Sequence, residues 1–192
     1  MYKRQLLSFE NAVTLFHEFG HAMHGILTDV TYGSMAGTSG PRDFIELPSQ
    51  LLEHWVSEPE VLKSFATHYE TGETIPDELI EKLLKAGKFN QGFINTEYLA
   101  ASLLDMDWHT LSLQDAKNIS NNFENNSMNK IGLIDEIAPR YRSTYFAHIF
   151  SGGYSSGYYS YVHAAVLDSD AFEAFKEVGD VCLLYTSPSP RD

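Results

Sequence analysis

The five residues His17-Glu18-Phe19-Gly20-His21 constrain this chain more than any other feature, because their spacing has chemical meaning only on a helix. Side chains four apart lie one turn apart on one helical face, so both imidazoles can reach a single metal ion. Glu18 stands one step round the same helix, beside the metal, where it can polarise water. The flanking sequence supports a helix here. Ser8 is placed to cap its N-terminus, with Glu10 in the favourable first turn. Ala12, Leu15, Phe16, Phe19, Met23 and Ile26 recur at steps of three and four, the apolar period of a helix.

The HExxH pattern leaves a third ligand to be found. Downstream, Asp43-Phe44-Ile45-Glu46-Leu47-Pro48-Ser49-Gln50 sets an acid among apolar neighbours at the start of a second helix, whose first position suits Pro48. An acid there gains from the helix N-terminus but is costly to bury unless something positive pairs with it. Zn²⁺ is that partner if Glu46 joins His17 and His21. Spacing also excludes two common arrangements. A third histidine six residues after His21 would fall at Leu27, and a glutamate nineteen residues after it would fall at Gly40. Glu46 lies 25 positions beyond His21.

Between these motifs and the far end, proline and glycine divide a mainly helical chain. The second helix is expected to stop before Pro59, with further helices over 76–86, 90–111 and 113–122. The asparagine-rich stretch 118–129 reads as a surface connection, and 28–32 as the best strand candidate. Gly152-Gly153 breaks the chain before a helix through Tyr158 and Tyr161 to Leu167. On that helix Tyr154, Tyr158 and Tyr161, at i, i+4 and i+7, would share one face. The formal charge of −13 disfavours a phosphate backbone as partner, so no nucleic-acid role is expected. No apolar run reaches the roughly 18 residues of a bilayer span, so no membrane role is expected either.

Three motifs in this order resemble one family, the thimet oligopeptidase/neurolysin/oligopeptidase A/peptidyl-dipeptidase group of zinc metallopeptidases. They are Phe16-His17-Glu18-Phe19-Gly20-His21-Ala22-Met23-His24, the 43–50 stretch, and His148-Ile149-Phe150-Ser151-Gly152-Gly153-Tyr154-Ser155-Ser156-Gly157-Tyr158-Tyr159-Ser160-Tyr161. Pro41-Arg42-Asp43-Phe44 looks most like the bacterial peptidyl-dipeptidase (dipeptidyl carboxypeptidase) branch. The resemblance implies a mainly α fold, the catalytic part of a neurolysin-like zincin with little sheet. It implies one Zn²⁺ per chain on His17, His21 and Glu46, with Glu18 as general base and then proton donor. His148, Tyr154 and Tyr161 would be donors near the scissile carbonyl, and Gly152, Gly153, Tyr158 and Arg42 would face substrate. The implied activity is hydrolysis of short peptides, with release of C-terminal dipeptides. An endo-acting oligopeptidase of the same family and a non-catalytic peptide-binding relative are the alternatives; the presence of Glu18 and all three ligands argues against the second.

Other residues carry less. His24 reads as a packed neighbour of the ligands, and His54, His68 and His109 as solvated. Glu53, seven residues after Glu46, reads equally as a solvated acid and as an orienter of a metal histidine. His163 stands where the family usually has tryptophan.

The two ends read as something else. Met1-Tyr2-Lys3-Arg4-Gln5 back-translates as GTG TAT AAG AGA CAG, with GTG as an alternative start. Its reverse complement, read after one base, encodes Cys-Leu-Leu-Tyr and opens a threonine codon, and Cys182-Leu183-Leu184-Tyr185-Thr186 matches. Residues 1–5 and 181–192 are therefore expected to be adapter-derived, leaving 6–180 as a partial metallopeptidase catalytic domain. The single cysteine then says nothing about redox compartment, and the cytoplasm is favoured only by default. A fragment of this kind, alone, is expected to be a poor enzyme.

Overall fold

Ser8 starts the first helix as its side chain allows: its Oγ accepts the Asn11 N–H at 3.2 Å, opening α1 (Phe9–Ile26). The computed structural model describes residues 6–179, so both expected adapter segments, 1–5 and 181–192, lie outside the described residues. After α1 come α2 (Arg42–Ser57), α3 (Pro59–Phe65), α4 (Asp77–Ala86), α5 (Gln91–His109), α6 (Leu113–Lys117), α7 (Phe123–Lys130), α8 (Ala147–Phe150) and α9 (Ser160–Val178). The fold is mainly α, as expected. Among the described residues the only β pairing is an isolated bridge between Thr67 and Thr74. The strand expected at 28–32 is absent; that stretch is irregular and leads into two short 3₁₀ turns, Gly33–Met35 and Gly37–Ser39. The Thr28 hydroxyl ties it down, donating to the His24 carbonyl at 2.6 Å and accepting the Gly37 N–H at 3.0 Å.

The chain forms two compact units. One runs through Leu84 and resumes at His163; the other is Lys85–Val162. In the first, α1 meets α2 where Gly20 is buried: a Cβ there would lie 2.5 Å from the Ser49 Cα and 2.6 Å from the Pro48 carbonyl oxygen. Only a residue without a side chain allows the two backbones to approach so closely. The expected apolar stripe of α1 packs only in part: the Phe16 ring meets Phe65 at 6.0 Å, whereas Leu15, Phe19 and Ile26 are each more than half exposed.

Pro48 does not begin α2 but sits inside it. The first turn is built on Pro41, whose carbonyl accepts the N–H groups of Phe44 and Ile45 at 3.0 and 3.2 Å. Proline removes one helical hydrogen bond, but the buried face of Ile45, Glu46, Ser49 and Val56 holds the helix on both sides of it. Glu46 therefore stands in the second turn, buried, rather than at the helix N-terminus. Further along α2, His54 is not solvated. Its Nε2 lies 2.9 Å from Asp168 Oδ1 on α9, its ring stacks on Phe172 at 4.6 Å, and Trp55 meets Phe172 and Phe175 edge-on.

In the second unit, Ala101, Phe146, Ile149 and Tyr158 form one core, and Ala100, Leu104 and Met128 another, with Trp108 packed against both. The expected connection over 118–129 is interrupted by α7. Its Met128 fills the core, and its buried Ser127 donates to Asp107 at 2.7 Å. The helix expected over 113–122 stops at Lys117. His109, also read as solvated, pairs with buried Asp105 at 2.7 Å. The predicted single helix bearing three tyrosines is not formed. Tyr154 and Tyr158 lie in turns ahead of α9, and only Tyr161 is helical.

Candidate metal centre

The helical spacing of His17 and His21 brings their ring centroids to 4.8 Å, edge to face. Glu46, 1% exposed, reaches them from α2, with Oε2 at 3.3 Å from the Nε2 of each. One ligand atom from each of the three lies within 4.8 Å of the others. Bonds of about 2.0–2.1 Å to a tetrahedral zinc place ligand atoms about 3.3 Å apart, so the three donors fit the ion. The Ser49 hydroxyl holds the carboxylate, 3.0 Å from Glu46 Oε2 and 2.9 Å from the Glu46 carbonyl oxygen. It is the neighbour of the Gly20 contact, so the helix crossing and the carboxylate position are set together.

Glu53 resolves its two readings in favour of orientation. Its Oε1 lies 2.6 Å from His17 Nδ1, one turn beyond the bond Ser49 makes. A carboxylate behind a histidine fixes the proton on Nδ1 and leaves the Nε2 lone pair facing the centre. Without metal, hydrogen bonds to Glu46 and then Glu53 push His17 up to about 9. His24 is packed near Phe44, with ring centroids 5.9 Å apart and Nδ1 buried. Glu18 follows His17 on α1 and is exposed, as is Arg42 at the first position of α2.

These values set a pH dependence. A histidine raised from 6.5 to about 9 stabilises the metal-free fold fully below pH 6.5, and that contribution disappears as pH rises through about 9. A zinc ion held by His17 would compete for the same Nε2, so its binding near pH 7.5 should release close to one proton from His17. Calorimetric titration of the metal-free protein in buffers of different ionisation enthalpy measures this. Binding with no proton release would contradict the assigned ligand.

The second unit assembles the remaining residues of interest. His148, on α8, lies 6.2 Å from Tyr154, 6.3 Å from Tyr161 and 5.5 Å from Tyr158 by ring centroids, and Tyr154 stacks on Tyr161 at 5.3 Å. The turn between them needs its glycines. Gly153 has φ 81°, and a Cβ on Gly152 would lie 2.9 Å from the His148 Cα. Tyr158 is 1% exposed and stacks on Tyr98 at 5.1 Å; burial pushes its phenol up to about 12, against the lowering effect of Tyr98 and Arg140. Sequence reasoning missed Asp105, which is fully buried and accepts the backbone N–H groups of Ser156 and Tyr158, each at 3.0 Å.

Comparison with known proteins agrees with these motifs. Residues 2–184 match peptidase family M3. The chain belongs to that family. It is 45% identical over 175 residues to dipeptidyl carboxypeptidase of Escherichia coli (strain K12), covering 91% of this chain and 26% of that protein. It is 39% identical over 178 residues to the chloroplastic/mitochondrial organellar oligopeptidase A of Arabidopsis thaliana, covering 92% and 22%. To the "Probable cytosolic oligopeptidase A" of the same plant it is 38% identical over 178 residues, covering 92% and 25%. The chain thus spans about a quarter of the length of these relatives. No helix among the described residues is long and apolar enough to cross a membrane.

Proposed function

We propose that this chain is the zinc-binding part of a peptidase that hydrolyses short peptides and releases C-terminal dipeptides. The convergence of His17, His21 and buried Glu46, with Glu53 behind His17, carries the reading. Similarity to dipeptidyl carboxypeptidase, 45% against 38–39% for the two oligopeptidases, favours the exo-acting form. A cytoplasmic setting is part of the proposal, supported by the cytosolic relative's name.

His17, His21 and Glu46 would hold Zn²⁺, which supplies Lewis acidity at a carbonyl and lowers the pKa of water. Glu18 takes the proton of the attacking water and delivers it to the leaving amine. Glu53 keeps His17 in the tautomer that leaves Nε2 for the metal. His148, Tyr154 and Tyr161 donate to the oxygen on which negative charge develops, each donor typically worth about 2.7–4 kcal/mol. Arg42, Gly152, Gly153 and Tyr158 complete the substrate-binding set, Tyr158 as the buried support of His148 and Tyr161. The full-length protein, more than these 192 residues alone, is the expected catalyst.

The test is metal analysis of the full-length protein together with hydrolysis of internally quenched peptides. One zinc per chain and cleavage two residues from a free C-terminus are expected. A zinc-loaded protein that binds peptide without cleaving it would establish the binding-module alternative instead. On the carbonyl side, Tyr154→Phe and Tyr161→Phe should each lower kcat about 10²-fold while KM changes little, because a donor to an oxyanion acts mainly in the transition state. Wild-type kcat in both would make the tyrosines packing residues.

A further inference from the structure

Asp105 lies deep in α5 with 0% exposure, and a carboxylate so placed is costly unless its oxygens are fully engaged. They are engaged by a distant part of the chain. Oδ1 accepts the Ser156 N–H and Oδ2 the Tyr158 N–H, each at 3.0 Å, while His109 Nδ1 stands 2.7 Å from Oδ1. These bonds grip the segment that carries Tyr154, Tyr158 and Tyr161. They also grip it in a conformation it would not choose. Ser156 has φ 56°, in the left-handed region that costs a non-glycine residue free energy and persists only where the surroundings over-determine it. The rest of the turn is tied locally, with Gly157 N–H on the Tyr154 carbonyl at 2.8 Å and Ser155 Oγ on the Ile149 carbonyl at 2.7 Å.

We propose that Asp105, steadied by His109, is the positioning residue for the tyrosine segment: it clamps the Ser156 and Tyr158 amides and so fixes where the Tyr154 and Tyr161 hydroxyls are presented. Its consequence for turnover rests on the peptidase reading above; the clamp itself does not. A carboxylate suits this task because both oxygens accept. Asparagine has nearly the same shape but offers one acceptor, and its amide N–H₂ would face one of the two backbone donors.

In the full-length protein, Asp105→Asn should lower kcat by ten- to a hundredfold, the scale of a donor displaced by about 1 Å. KM should stay within about twofold and zinc at one per chain, because the metal ligands are carried by α1 and α2. A residue that served packing alone would leave kcat per folded, zinc-loaded molecule unchanged, and that result overturns the proposal. Amide hydrogen exchange in the unmutated protein tests the clamp without a variant. The Ser156 and Tyr158 amides should exchange at least a hundredfold more slowly than free-chain amides, and exchange at the free-chain rate also overturns it. If the unmutated protein cleaves no peptide, the peptidase reading falls, and the exchange measurement still decides the clamp.

Discussion

Glu18→Gln should leave one zinc per chain and lower turnover of a short peptide by about 10²–10⁴-fold, the contribution of a positioned general base and acid. The residue is adjacent to His17 but outside the group of three that converges, His17, His21 and Glu46. Replacing its carboxylate by an amide removes proton acceptance without removing a ligand. KM should change less than kcat, because the lost interaction belongs to proton transfer. Measurement of kcat beside zinc content separates this from a metal-binding defect. Near-normal turnover in a zinc-replete variant would remove Glu18 from the mechanism.

Gly20→Ala should act by a different route, through the fold. The added methyl would meet the Ser49 Cα at 2.5 Å and the Pro48 carbonyl oxygen at 2.6 Å, and backbone atoms cannot rotate aside as a side-chain tip can. Overpacking of this kind costs about 1–3 kcal/mol, occasionally more. The relief available is for α1 and α2 to separate, which carries Glu46 and Ser49 away from the two histidines. The variant should therefore melt lower and hold zinc at least tenfold more weakly, while Gly25→Ala, also on α1 but with nothing within 4 Å of the added Cβ, should do neither. Unchanged zinc affinity would mean that the crossing does not set the site.

That glycine shows what the sequence could and could not disclose. The candidate ligands are legible because a metal site needs particular elements at particular spacings, and His17, His21 and Glu46 come together in the structure as a group that could hold an ion. Gly20 lies inside the same motif, yet nothing in the chain marks it as the point of closest helix approach. Pro48 misled because a proline usually opens a helix, and here Pro41 already had; one missing hydrogen bond was outweighed by a buried face. The run over 118–129 reads from its asparagines as a surface connection, but Phe123, Met128 and buried Ser127 anchor α7 to the core. His54 and His109 look solvated in the sequence because their partners, Asp168 and Asp105, cannot be assigned by periodicity. The tyrosines are legible as a group but not as a shape: their spacing suggests a helical repeat, whereas turns built on Gly153 and Ser156 gather them around His148. Asp105 was invisible for the plainest reason, since an acid in mid-helix looks solvated until its contacts 51 and 53 residues away are known.

The most direct test of the account is zinc K-edge X-ray absorption of the full-length protein and its Glu46→Gln variant. The account predicts two imidazole nitrogens and oxygen donors at about 2.0–2.2 Å with no sulfur, and loss of an oxygen ligand or of the metal in the variant. A spectrum and zinc stoichiometry unchanged by Glu46→Gln, or a sulfur-containing shell in the unmutated protein, would contradict it.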